Sequence, residues 1–242
     1  PNPYGPNYSQ PVGTDGKLVD GATPLWDFDW SNAMEQQALR TELNLNVSGG
    51  GQKNQYFFSA GYLNDKGIAL ESGYQRFNLR SNITSEMTSW LKGGVNMSFA
   101  HSMQNYPVSS DTKTSNVINA GRTMPGFYPI YEVTPNDGSI IYKDGSPVPD
   151  FGPYRPSGSM ANWNLPATLP LDKSERMKDE FSGRTFLEVT FIPGLKFKTS
   201  FNFDLINYNS LDFTNSLIGP SVTTGGGSSR VNTRTFSWTW NN

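Results

Sequence analysis

Residue types that could do acid–base or nucleophilic chemistry are scarce in this sequence. His101 is the only histidine and there is no cysteine, so a histidine triad has one possible base. Multi-histidine and thiolate metal sites are excluded. The carboxylate pairs Asp27/Asp29 and Asp179/Glu180 stand beside predicted strands, where solvated surface is their ordinary role. We therefore predict no catalytic residue, no metal site and no cofactor, and a protein that is not an enzyme.

The residues best able to grip a ligand lie in a long irregular segment between predicted strands. Aromatic side chains among prolines make stacking platforms for sugar rings or anchors for a protein partner. The alternative is that these rings pack against one another and hold the segment together. Two arginines of the same segment could contact a polar ligand. The candidate contact residues are Trp163, Tyr154, Tyr128, Tyr131, Arg122 and Arg155.

The elements that must position these residues are strands. In "LKFKTSFNFDL", residues 195–205, the apolar side chains fall on one parity and the lysines, Asn202 and Asp204 on the other. This period of two indicates a strand with one apolar face. The pattern recurs in roughly seven segments, whereas "PLWDFDWSNAMEQQALR" suits a short helix or an irregular entry segment. The sequence predicts an all-β protein.

Alternation alone leaves two architectures open. In a soluble sandwich the aromatic residues would face a core, and in an outer-membrane barrel they would face lipid. The connections favour the barrel, because short ones such as "GGGQK" alternate with longer ones such as "NDKGIALESG". Barrels have short periplasmic turns and long outside loops. The net charge of −2 gives no basic footprint for nucleic acid.

The predicted strands divide the chain into four parts. Residues 1–39 are a loop and entry segment, and 40–102 carry four barrel strands. Residues 103–179 form a long extracellular loop, and 180–242 carry further barrel strands. Because "TRTFSWTWNN" is an alternating run that reaches the last residue, we expect a piece of a larger protein.

A series of short motifs between residues 43 and 100 carries a family resemblance. Together they resemble a barrel segment of the SusC/RagA-like TonB-dependent outer-membrane transporters. The later stretch "FIPGLKFKTSFNFD" is similar to a hairpin of that family. Each motif is weak singly, and their order makes the set specific. The motifs are Ser48-Gly49-Gly50, Gly61-Tyr62, Gly67-Ile68, Phe77-Asn78-Leu79-Arg80, Thr88-Ser89-Trp90-Leu91-Lys92 and Gly94-Val95-Asn96-Met97-Ser98.

The resemblance implies an antiparallel transmembrane β-barrel segment with long extracellular loops, part of a barrel of about 22 strands with a plugged lumen. It implies a place in the outer membrane of a Gram-negative, Bacteroidetes-type cell, in contact with outer-membrane lipid. It also implies uptake of oligosaccharides or peptides, powered by the TonB complex through parts outside this chain. A SusD-like surface lipoprotein would be the partner. The alternative function is that of a soluble β-sandwich carbohydrate-binding module.

Overall fold

A computed structural model describes residues 2–107, 116–152, 155 and 161–242 of the chain. Seven long strands form one antiparallel sheet in the order β1-β2-β3-β4-β7-β8-β9, and β5 and β6 form a separate small hairpin. The strands are β1 (Arg40–Gly50), β2 (Asn54–Lys66), β3 (Gly73–Glu86), β4 (Leu91–Asn105), β5 (Tyr142–Lys143), β6 (Ser146–Pro147), β7 (Lys173–Ile192), β8 (Leu195–Thr214) and β9 (Gly227–Asn241).

The large sheet has one apolar face, which the register aligns across all its strands. Residues directly opposite each other on paired strands lie on the same face. One such row contains Leu79, Phe99, Phe181, Leu205 and Phe236. On β8 the apolar stretch from Phe197 to Leu205 spans about 27 Å, since a strand rises ~3.4 Å per residue. That length suits the apolar band of an outer-membrane barrel, which is about 25 Å tall.

The other face is polar, and neither face is covered by a second sheet. A row of the polar face contains Arg80, Ser98, Ser182 and Asp204. Most large side chains of the apolar face remain exposed, as at Trp240, which is 64% exposed, and the others are partly exposed. A sandwich would bury one face of this sheet against another. The sandwich alternative is therefore wrong for the part of the chain that the structure describes.

The strands are longer than the alternating pattern predicted. β4 continues to Asn105 and β7 begins at Lys173, so the long connection covers residues 106–172 instead of 103–179. The extra residues of β7 are nearly all polar or charged on both faces, so they show no alternation. Backbone pairing continues where the alternation of side chains has ended, as in the pairing of Glu175 with Asn105 and Leu211. The sheet thus extends beyond its apolar band.

Short and long connections alternate, as predicted. Residues 51–53, 87–90 and 193–194 turn at one end of the sheet, here called the turn end. Residues 67–72, 106–172 and 215–226 connect strands at the opposite, loop end. The shortest turn ends in Gly194, whose φ of +91° is available to glycine at little cost. This segregation of loop lengths is typical of a transmembrane barrel.

The long connection folds together with the segment that precedes β1. We call this unit the loop domain and define it as residues 24–36, 116–152, 155 and 161–172. It contains helices α1 (Trp30–Ala33), α2 (Val117–Thr123) and α3 (Leu165–Thr168), followed by a 3₁₀ turn (Leu169–Leu171); a second 3₁₀ turn, Pro220–Thr224, lies between β8 and β9. The core of the domain is Trp30, Met34, Val117, Ala120, Ile130, Leu165 and Leu169.

The helices of the loop domain are short and start at side-chain caps. Asp29, Asn116 and Asn164 each accept a hydrogen bond from a backbone N–H of the first turn. The predicted short helix near the start of the chain is confirmed as α1, whereas α2 and α3 were not predicted. Among the described residues, no helix is long and apolar enough to span a membrane.

Candidate ligand-contact site

A buried arginine holds the loop domain together. The side chain of Arg155 is 1% exposed and lies 3.5 Å from a carboxylate oxygen of Asp150. Its guanidinium donates to the carbonyls of Pro129, Asp150 and Trp163 at 2.7, 3.1 and 3.3 Å. Burial lowers the pKa of this guanidinium below its ordinary value, and the Asp150 carboxylate acts in the opposite direction. The planar guanidinium group thus links the backbone at Pro129, Asp150 and Trp163 through one charged side chain.

Two aromatic rings enclose the same guanidinium. The Arg155 Cζ lies 5.5 Å from the ring centroid of Trp30 and 5.6 Å from that of Tyr128. These distances are within the range of cation–π attraction. The Trp30 indole donates to the Tyr128 carbonyl at 2.8 Å, so the ring is fixed at both its face and its edge. This arrangement joins the segment before β1 to the long connection.

Asn164 is a second buried polar junction of the loop domain. Its amide nitrogen donates to the carbonyls of Ile130 and Asp150 at 2.6 and 3.1 Å. Its amide oxygen accepts from the N–H of Ala167 and so caps α3. Because both ends of the side chain are used, a fully buried asparagine is tolerated here. Sequence reasoning missed Asn164 and Trp30. The signal at Asn164 was a capping residue followed by Pro166 near the first helical position.

The structure brings three of the predicted contact residues together and separates others. Tyr128 is buried, Trp163 is half-buried against the core, and both adjoin Arg155. Tyr131 is half-buried and meets Phe28 edge-on, with ring centroids 6.3 Å apart. Tyr128, Trp163 and Tyr131 thus pack within the loop domain, and their role as ligand contacts stays a prediction. Tyr154 lies outside the described residues.

Arg122 lies in a different place, at the end of α2. It is exposed and lines a groove of about 280 Å³ beside Glu35 and the loop that joins β2 to β3. Two isoleucines on the groove, Ile68 and Ile118, are 63% and 57% exposed. Other accessible apolar rings of the loop domain are Phe127 and Tyr142, which are 42% and 62% exposed. These groups, and not Arg155, are the ones that a ligand could reach directly.

Two Asp-Gly turns, Asp137-Gly138 and Asp144-Gly145, lie in the same part of the loop domain. Asp144 and Gly145 connect β5 to β6 with positive φ angles of 52° and 79°. The Asp137 carboxylate accepts hydrogen bonds from the Thr134 hydroxyl and from the N–H and hydroxyl of Ser139. These bonds lower the pKa of Asp137 to about 2, with the Thr134 hydroxyl as the largest cause.

The depressed pKa of Asp137 predicts how its turn responds to acid. A carboxyl group whose pKa is lower in the folded state adds stability above its unfolded pKa of about 3.9. That contribution is lost as the pH falls through about 2. We expect hydrogen-exchange protection of the Ser139 amide, corrected for intrinsic rates, to be the same at pH 6 and pH 4 and to fall near pH 2. Asp137→Asn should reduce protection at pH 6, and equal protection in both proteins would contradict the assignment.

His101 and Asp179 form a pair at the border of the apolar band. They are opposite each other on β4 and β7, with Nδ1 and Oδ1 2.6 Å apart, and both side chains are partly exposed. Phe77 lies opposite His101 on β3. The described residues contain no group of three histidine, aspartate or glutamate side chains placed to hold a metal ion. The arrangement is that of a polar border above an aromatic row, where a barrel strand leaves the hydrocarbon.

Comparison with known proteins relates this geometry to one kind of protein. No protein-family model matches the chain. The TonB-dependent receptor P39 of Formosa agariphila is 26% identical over 182 residues, and the receptor P3 of the same organism is 25% identical over 186 residues. Each match covers 74% of this chain, but only 15% and 17% of the relative. The chain thus spans less than a fifth of the length of these two proteins.

Solved structures show the same fold. The RagAB peptide importer in its closed-closed state matches with a TM-score of 0.62 at 23% identity, and in its open-open state with 0.63 at 23%. Each match covers 88% of this chain and about a quarter of the other, namely 23% and 22%. Over most of its length, the chain is thus similar to a barrel segment of TonB-dependent receptors. The predicted SusC/RagA-like resemblance and the predicted outer-membrane location of the transporter segment are confirmed.

Proposed function

We propose that the chain forms part of the wall and of the outer mouth of an importer of oligomeric nutrients. The sheet supplies the wall, with its apolar face toward lipid and its polar face toward the lumen. The loop end faces the outside of the cell, where the loop domain meets the substrate. Uptake is driven by the TonB complex through parts of the transporter beyond this chain, and the segment itself catalyses no reaction.

The observation that carries this proposal is a single sheet with an exposed apolar face and a polar opposite face. A soluble protein rarely leaves a contiguous apolar patch of this extent uncovered. A folded domain at one end of such a sheet fits the asymmetry of outer-membrane barrels, whose long loops lie outside. The likeness to TonB-dependent receptors supports an energised importer over a passive pore.

We propose oligosaccharides or peptides as the substrate class and a SusD-like surface lipoprotein as the partner. The loop domain supports both proposals, because its packed core holds aromatic and apolar side chains in a folded surface that a substrate or a protein could bind. Among the predicted contact residues that the structure describes, Trp163, Tyr131 and Arg122 are partly or fully accessible, and Phe127 and Tyr142 add exposed rings. Tyr128 and Arg155 are buried beneath this surface and support it.

Removal of the long connection tests the proposal. In the full transporter, residues 107–171 would be replaced by a short Gly-Ser linker, which leaves the pairing of Asn105 with Glu175 in place. We expect normal insertion into the outer membrane, because outside loops contribute nothing to the strand ladder. We also expect loss of substrate uptake and of association with the lipoprotein, measured by whole-cell uptake and by co-purification.

The matched control inserts the same linker at the turn end, in the connection of residues 87–90 between β3 and β4. This variant should insert and should retain both uptake and association, because the loop domain is unchanged. Full uptake by a correctly inserted variant that lacks residues 107–171 would disprove the role of the loop domain.

A further inference from the structure

Most cations on the polar face of the sheet have an anionic partner. Lys178 lies 2.7 Å from Glu180, Lys196 lies 3.1 Å from Glu188, and Lys92 lies 3.6 Å from Glu86. Arg76, Arg80, Arg184 and Lys198 differ, because none of them has a carboxylate within 4.0 Å among the residues that the structure describes. Of these four cations, Arg80 and Arg184 are both exposed and line a common depression.

The two arginines face each other across one intervening strand. β4 lies between β3 and β7, so these two strands are about 10 Å apart. Arg80 is opposite Ser98, and Arg184 is opposite Asn96, on adjacent rows of the polar face. Both line a single depression of about 340 Å³. Its lining is Arg80, Asn82, Asn96, Met97, Ser98, Ser182 and Arg184.

The carboxylate opposite Ser182, a residue that lines the depression, is already engaged. Asp204 pairs with Ser182 in the β7–β8 register, and the Ser182 hydroxyl donates to it at 2.5 Å. The depression therefore contains two guanidinium groups together with the amide and hydroxyl donors of Asn82, Asn96 and Ser98. A guanidinium group only donates hydrogen bonds, and it matches the paired oxygens of a carboxylate or sulfate. The chemical complement of this surface is an oxyanion.

We propose that Arg80 and Arg184 form an oxyanion-binding site on the wall of the lumen. The assignment of this face to the lumen rests on the function proposed above. The bound group is a carboxylate or sulfate, and it has two possible sources. It belongs either to an anionic substrate in transit or to an acidic side chain from another part of the transporter. In either case, the site binds negative charge at the middle of the wall.

Sulfate-dependent thermal stability of the full transporter in detergent tests the site. Sodium sulfate is titrated against sodium chloride at equal ionic strength, and the melting temperature is followed by tryptophan fluorescence. We expect sulfate to raise the melting temperature of the natural protein. R80Q/R184Q should weaken the apparent sulfate affinity about tenfold or more, since each lost charge-assisted hydrogen bond is costly. R80K/R184K, which keeps both charges, should retain part of the response.

The matched control is K178Q/K196Q, which removes two cations that already have partners on the same face. It should respond to sulfate as the natural protein does. A response lost only in R80Q/R184Q indicates an open site for anionic substrates. No response in the natural protein, with a melting temperature lowered more by R80Q/R184Q than by the control, indicates an internal carboxylate.

Identical melting temperatures and sulfate responses in the natural protein, R80Q/R184Q and K178Q/K196Q would overturn the proposal. The measurement is independent of transport, because it uses purified protein and inorganic sulfate. Loss of the proposed import function in uptake assays, with sulfate binding intact, would count against the importer and leave this site standing.

Discussion

Phe201→Arg should destabilise the barrel by about 2–4 kcal/mol, the usual cost of a cation at the bilayer midplane. Phe201 is at the centre of the apolar stretch of β8, opposite Thr185 and Trp240. Its ring lies 6.3 Å from that of Phe203 and 6.2 Å from that of Trp238. An arginine at this position would face hydrocarbon and would also lose these ring contacts.

Ser200→Arg is the matched control for Phe201→Arg. Ser200 precedes Phe201 on the same strand and lies on the polar face, opposite Phe186 and Asn241. An arginine there would enter the aqueous lumen, so we expect a change close to zero. The free energy of unfolding in urea, measured for the full transporter folded into lipid vesicles, distinguishes the two. Equal costs for both substitutions would contradict the assignment of the faces.

Arg155→Ala should open the loop domain and leave the barrel folded. The substitution leaves the carbonyls of Pro129, Asp150 and Trp163 without their donor and removes the charge beside the Asp150 carboxylate. Loss of one partner of a buried ion pair costs about 3–5 kcal/mol. Arg155→Lys keeps the charge but loses the fork and its stacking on Trp30, so we expect an intermediate effect.

Hydrogen exchange by mass spectrometry measures this effect within the full transporter. The amides of Glu132 and Asp150 bond to loop-domain carbonyls and should exchange faster in Arg155→Ala. Amides of β3 and β4 should keep their protection. Arg122→Ala, an exposed arginine of the same domain, should leave both sets unchanged. Faster exchange in the strands as well would show that the loop domain and the barrel do not unfold separately.

The parts of the strands that lie within the apolar band could be predicted from sequence, because there apolar and polar side chains must alternate at every position. Leu79, Phe99 and Leu205 lie on the face toward lipid, and the neighbouring residues on each strand lie on the face toward water. Beyond the band both faces are wet, so residues such as Ser174 and Lys178 show no pattern. Their strand conformation comes from the ladder itself, and the predicted strand ends were short for that reason.

The candidate site was predictable in its location but not in its organisation. Proline and aromatic content pointed to the long connection, and Trp163, Tyr128 and Arg155 do meet there. That their partner is Trp30 could not be predicted, since this contact joins distant parts of the chain. Composition also could not separate Arg155, which is enclosed, from Arg122, which is exposed. Only the packing of the loop domain distinguishes the buried Arg155 from the exposed Arg122.

The hydrogen bond from the Trp30 indole to the Tyr128 carbonyl joins residues 98 positions apart and has a kinetic consequence. The strand pairs β1–β2, β2–β3 and β3–β4 connect neighbours along the chain and can zip together quickly, whereas closure of a long loop is entropically slow. The segment before β1 and the long connection after β4 reach each other only when those four strands are aligned. We therefore expect an order of assembly in which the strands of the sheet pair first and the loop domain packs last. If the four strands pair out of register, the two segments of the loop domain are not brought together and the domain cannot fold.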